Sequence, residues 1–127
     1  MTPSWVASAA QLACLLEVSA PKPGNVSPGR PFADTGYEMF LASAAAIGPV
    51  FAASGDLPLG VLIRRAVEAT AGWASSNTNL GIVLLLAPLA KAAMTGPGQR
   101  RTSIDSKELW PEVARLISAT TVEDARE

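Results

Sequence analysis

The chain has no histidine and a single cysteine, Cys14. Without histidine, Ser-His-Asp triads, Cys-His dyads and the common zinc sites are excluded. One cysteine cannot build an intrachain disulfide framework. Acid–base chemistry is left to carboxylates, lysine, tyrosine or Cys14 itself, which reads as a core residue. Charge is scarce as well, at 17% of residues with a net charge of −1. That balance argues against a basic surface for nucleic acid. The scarcity is uneven: residues 1–99 hold ten charged side chains, and the last 28 residues hold eleven. A stretch so poor in charge cannot cover its own surface with polar groups. It should bury apolar faces in a larger body, such as a homo-oligomer or a second half supplied by further chain.

Apolar runs of membrane length are also missing. Residues 39–55 are uncharged but rich in alanine and serine, and Gly48-Pro49 breaks them. Residues 80–90 are strongly apolar but too short, with Pro88 inside, whereas a span needs about 20 residues. The first eleven residues lack the basic start and long apolar run of a secretory signal. The expectation is a cytoplasmic protein with neither membrane nor nucleic acid as partner. At 49% hydrophobic content the chain is too apolar for disorder. Its 127 residues suit one domain, 1–127.

Alanine is abundant, at 23 of 127 residues, and strand-like alternation is nearly absent. Small and straight-chain residues favour helix. The pattern predicts an all-α fold, a compact multi-helix array around a central apolar helix. The first helix is expected over 3–19, capped by Thr2 or Ser4 and stopped by Pro21, Pro23 and Gly24. Residues 20–33 form a loop. The second helix should start at a Thr35–Glu38 capping box and run to Gly55. Phe40, Ala44, Ile47 and Phe51 would share its inner face. Asp56 should cap a third helix, with Pro58 in its first turn and Leu59, Leu62, Ile63 and Ala66 inward. The central helix is expected from Leu80 to about Met94. A loop over 96–104 leads to a fifth helix capped by Asp105, with Glu108 as box partner, ending near Ser118. Thr120 to Asp124 opens another helix start that stops a turn later, which reads as a truncated frame. Trp5, Trp73 and Trp110 read as packing residues.

Several positions could carry chemistry. Glu17 lies in the last turn of an apolar helix, where the helix dipole disfavours an anion. It wants a cation, and Lys22 is near; the pair is either structural or a ligand site. Pro21 and Pro23 hold Lys22 rigidly, and Gly24 lets backbone approach a ligand. Such a lysine suits a phosphate oxygen, although the turn also simply ends the helix. Asp34 and Glu38 are four residues apart, a spacing that can share Mg²⁺ with triphosphate oxygens, or merely serve as caps. Asn77-Thr78-Asn79-Leu80-Gly81 opens the central helix, where free amides attract anions. One cap residue would suffice there, so three polar residues exceed that need. Gly81 has no local reason to interrupt the helix.

These strings resemble the triphosphoribosyl-dephospho-CoA synthase family. Leu15-Leu16-Glu17-Val18, Pro21-Lys22-Pro23-Gly24-Asn25-Val26, Asp34 with Tyr37-Glu38-Met39-Phe40, and Asn77-Thr78-Asn79-Leu80-Gly81 occur in the family's order. The segment Thr120–Arg126 is similar to a branch that accompanies tetrahydromethanopterin-linked one-carbon metabolism. The resemblance implies an all-helical ATP-dependent transferase, with this chain as the N-terminal portion of a longer family domain. It would join a hydroxyl of 3′-dephospho-CoA, or a related nucleotide acceptor, to C1 of the ATP ribose and release adenine. Glu17, Asp34 and Glu38 would then serve as catalytic groups or ligands of Mg²⁺. Lys22, Gly24, Asn25, Asn77, Thr78, Asn79 and Gly81 would bind substrate. Where the family pattern has histidine, this chain has Phe32, and where it has His-Lys it has Asn79-Leu80. Two other readings remain: a nucleotide- or phosphate-binding relative in cofactor biosynthesis, and a helical interaction domain without catalysis.

Overall fold

Thr2 starts the first element, its hydroxyl accepting from the Trp5 amide at 3.2 Å. Pro3 follows at the first helical position, where its missing N–H costs nothing. The helix α1 spans Pro3–Ser19 in this computed structural model, which describes residues 1–74, 78–96 and 105–127. Further elements are α2 (Tyr37–Ala46), α3 (Gly48–Ala52), α4 (Leu59–Ala71), α5 (Leu80–Thr95), α6 (Ser106–Ser118) and α7 (Val122–Arg126). No strand forms among the described residues, so the fold is all-α. The 96–104 loop of the sequence reading falls, after Gly96, outside the described residues.

Two elements depart from expectation. The single helix expected from Thr35 to Gly55 is two helices, broken at Ile47. Pro49 causes the break, because it has no N–H to donate to the Ala45 carbonyl four residues back. Gln11 Nε2 of α1 donates to that carbonyl instead, at 2.9 Å. Gly48 makes room for it, since a Cβ there would lie 2.6 Å from Gln11 Nε2. The Thr35 capping box is also absent. Gly36 is the N-cap residue, with no side-chain cap bond. Loop closure holds Thr35 away: its carbonyl accepts from the Phe32 amide at 2.9 Å, and its hydroxyl donates to Asp34 Oδ1 at 3.1 Å.

Nor does Asp56 cap α4, whose N-cap is Pro58. The cap comes from far along the chain. Asp124 Oδ1 of α7 accepts from the Gly60 amide at 2.9 Å. Its Oδ2 accepts from Thr121 N at 3.0 Å, closing the capping box of α7 itself. One carboxylate thus caps two helix starts, where the helix dipoles favour an anion. These backbone bonds, that from Gly60 first, hold the Asp124 carboxyl below the usual aspartate range.

The core lies where α1 meets α2, α3 and α5, and where α4 meets α2, α3 and α5. Ile47, Phe51, Leu62 and Val83 are fully enclosed. Each such side chain contributes about 1.5–3 kcal/mol by burial. The central apolar helix α5 packs against α1, α4 and α6. Its one cation, Lys91, is used internally, donating to the Leu57 carbonyl at 2.6 Å. The three tryptophans are not core residues: Trp5, Trp73 and Trp110 are 52%, 65% and 59% exposed. No helix among the described residues is long and apolar enough to cross a membrane.

Candidate functional site

The loop after α1 is built from two consecutive Pro-Gly turns. In Lys22-Pro23-Gly24-Asn25 the Asn25 amide donates to the Lys22 carbonyl, and Gly24 has φ +76°. In Ser27-Pro28-Gly29-Arg30 the Arg30 amide donates to the Ser27 carbonyl, and Gly29 has φ +73°. Proline at the second position and a positive-φ glycine at the third define the type II turn. Any other residue at Gly24 would strain this loop. Gly24 and Asn25 of the first turn, followed by Val26, line one side of a cleft.

That cleft measures about 490 Å³, within the range of small-molecule sites. Glu17 of α1, Gly24 and Asn25 of the first turn, and Thr78 and Gly81 at the start of α5 supply its polar and backbone lining. Five of the residues singled out from sequence therefore converge, from segments far apart in the chain. Among the described residues, Glu17 is the single ionisable one in the lining. Lys22 is ion-paired to it, and Asn25 Nδ2 lies 3.5 Å from the same carboxylate oxygen. Thr78 is held from behind by Ser43 of α2, with hydroxyls 2.8 Å apart. Among the described residues, nothing beyond its chain neighbours and its own helix backbone lies within 4 Å of where a Gly81 Cβ would sit. Protein packing therefore does not explain that glycine.

The remaining predicted site residues are placed differently. Asn79 is the N-cap residue of α5 but makes no side-chain cap bond. It is buried, and its Nδ2 has no partner among the described residues. Asn77 lies outside the described residues. Asp34 and Glu38 do not line the cleft. Among the described residues no group of three Asp, Glu, Cys or His side chains gathers as metal ligands. The described residues thus build no cage of three carboxylates. A Mg²⁺ delivered with triphosphate needs only one or two protein carboxylates, and Glu17 is the one present at the cleft. Cys14 is buried, and burial followed by the nearby Glu17 charge pushes its thiol up to about 11. It is unreactive at neutral pH.

Sequence reasoning missed the apolar half of the lining: Val26, Phe32, Phe40, Ile82 and Leu85. Phe40 was expected on the core face of its helix. Its signal was present in Phe32, an aromatic residue in a polar loop.

A helical scaffold thus carries a cleft of small-molecule size that gathers one carboxylate, an amide, a hydroxyl and the start of α5, with the lysine paired to that carboxylate beside it. The chain belongs to the ATP:dephospho-CoA triphosphoribosyl transferase (CitG) family, which it matches over residues 3–127. No curated protein and no solved structure gives a match.

Proposed function

We propose that the cleft carries out triphosphoribosyl transfer from ATP to the hydroxyl of 3′-dephospho-CoA or a related nucleotide, in the cytoplasm. The observation that carries this reading is the convergence of Glu17, Asn25, Thr78 and Gly81 on one cleft in a chain of the transferase family. The reaction is a displacement at an anomeric carbon. The acceptor oxygen bonds to C1 of the ATP ribose, the bond from C1 to the adenine nitrogen breaks, and adenine leaves with that electron pair. Glu17 would accept the hydroxyl proton as the new bond forms. Lys22 and the first-turn amides of α5 are suited to triphosphate oxygens. Mg²⁺, when bound with the nucleotide, would be held by its phosphate oxygens and water and neutralise phosphate charge.

The test is adenine release, followed by chromatography, from ATP with dephospho-CoA. Glu17→Gln should abolish release while ATP still binds, and Lys22→Ala should weaken ATP binding itself. ATP binding that is indifferent to Lys22→Ala would sink the assignment of the cleft. Binding without adenine release in the unaltered protein would favour the nucleotide-binding relative.

A further inference from the structure

The cleft is only half accounted for by phosphate and proton chemistry. Its remaining lining is apolar and comes from three separate segments: Phe32 of the loop, Phe40 of α2, and Ile82 and Leu85 of α5. Phe32 and Leu85 stay 51% and 63% exposed. Phe32 does not dangle there. Its amide is fixed to the Thr35 carbonyl at 2.9 Å, so the loop presents the ring at the cleft. Gly81 adds to the same wall a stretch of helix backbone with open space where a side chain would stand. Side by side in this cleft are aromatic faces, a flat backbone strip, a carboxylate, an amide and a hydroxyl. That combination matches a planar heteroaromatic ring with apolar faces and a hydrogen-bonding edge.

We infer that this wall is a slot for an adenine ring, that Phe32 provides its stacking face, and that the missing side chain of Gly81 sets its width. The inference rests on the transferase reading and deepens it. An exocyclic amino group would donate to the Asn25 amide oxygen. A saturated acyl chain would leave that oxygen unpaired, which disfavours it. Adenine is common to ATP and dephospho-CoA, so the ring could come from donor or acceptor.

The experiment titrates the whole chain calorimetrically with two fragments, adenosine and inorganic triphosphate. Phe32→Ala should weaken adenosine binding by at least about tenfold, the order of a lost base–aromatic stack. Gly81→Leu should weaken it similarly by filling the slot, without lowering the melting temperature, because a Cβ there meets no described protein atom within 4 Å and leucine favours a helix over glycine. Triphosphate affinity should be unchanged in Phe32→Ala. Displacement of adenosine by ATP would assign the slot to the donor, and displacement by dephospho-CoA alone would assign it to the acceptor; either supports the slot. Adenosine binding equally to both variants and the unaltered protein overturns the inference. So does triphosphate binding without any adenosine binding, and that result leaves the transferase reading standing. Binding of neither fragment overturns both.

Discussion

The Ser43–Thr78 hydrogen bond ties a cleft residue to the body of the protein, and its removal has a calculable cost. Ser43 is fully buried in α2, whereas Thr78 is only partly buried. In Ser43→Ala the bond is lost, but Thr78 Oγ1 can turn to water. The cost is then that of one net hydrogen bond, about 1 kcal/mol. For a domain of this size that corresponds to roughly 3–5 °C in melting temperature. Thr78→Val is the harsher change, because it leaves the Ser43 hydroxyl enclosed without its partner, at about 1–3 kcal/mol. The double variant removes that orphaned hydroxyl. It should therefore be no less stable than Thr78→Val alone, with a coupling of about 0.5–1.5 kcal/mol. Urea unfolding followed by circular dichroism measures all four proteins. Purely additive costs, or a Thr78→Val milder than Ser43→Ala, would refute the assigned hydrogen bond.

Two further outcomes concern α7. Gly60→Ala should expel it from α4, since a Cβ at Gly60 would lie 2.3 Å from the Asp124 carbonyl oxygen; limited proteolysis should then cut near Thr121 while α1 and α5 stay protected. Acid should release the same contact. Because Asp124 is depressed in the folded state, its contribution is present above the unfolded aspartate value and lost as pH falls through the folded one. Exchange protection of the Gly60 amide should therefore fall below the usual aspartate range, and in Asp124→Asn that pH dependence should disappear.

Helix boundaries were readable wherever the signal was local. Thr2 and Pro3 mark the start of α1, and the expected 3–19 span is the one observed. Asp105 caps α6, accepting from Lys107 N at 3.0 Å. Inward faces were readable where charge opposed them. On α4, Arg64, Arg65 and Glu68 point away from Leu59, Leu62 and Ala66, which are buried. On α1 no such contrast exists. Val6, Ala10, Cys14 and Val18 form the buried stripe, while Trp5, Leu12 and Leu16 form an equally apolar stripe that is exposed. Periodicity cannot choose between them. The exposed stripe agrees with the expectation that a charge-poor stretch leaves apolar surface open. The distant cap of α4 by Asp124 and the donation of Gln11 to Ala45 were invisible because neither partner is near in sequence. In the candidate site, the turn and helix-start strings stood out by residue type. The apolar lining did not, because a phenylalanine facing a cleft and one facing a core read alike.

The cleft's charge decides how a triphosphate could enter it. At rest Lys22 is paired with Glu17, so the two nearest charges cancel. Both side chains are substantially exposed, at 38% and 42%, and an exposed pair of this kind contributes only about 0.2–1 kcal/mol. Exchanging Glu17 for a phosphate oxygen therefore costs Lys22 little, and the more highly charged partner offers a stronger contact. Pro21 and Pro23 restrict the backbone on both sides of Lys22, so the exchange needs side-chain rotation alone. Under the transferase reading one movement then does two things. It delivers the cation to the phosphates, and it uncovers the Glu17 carboxylate when a hydroxyl proton has to be accepted. A lysine held permanently in the cleft would meet only the first requirement, and an unpaired Glu17 would repel the incoming phosphates.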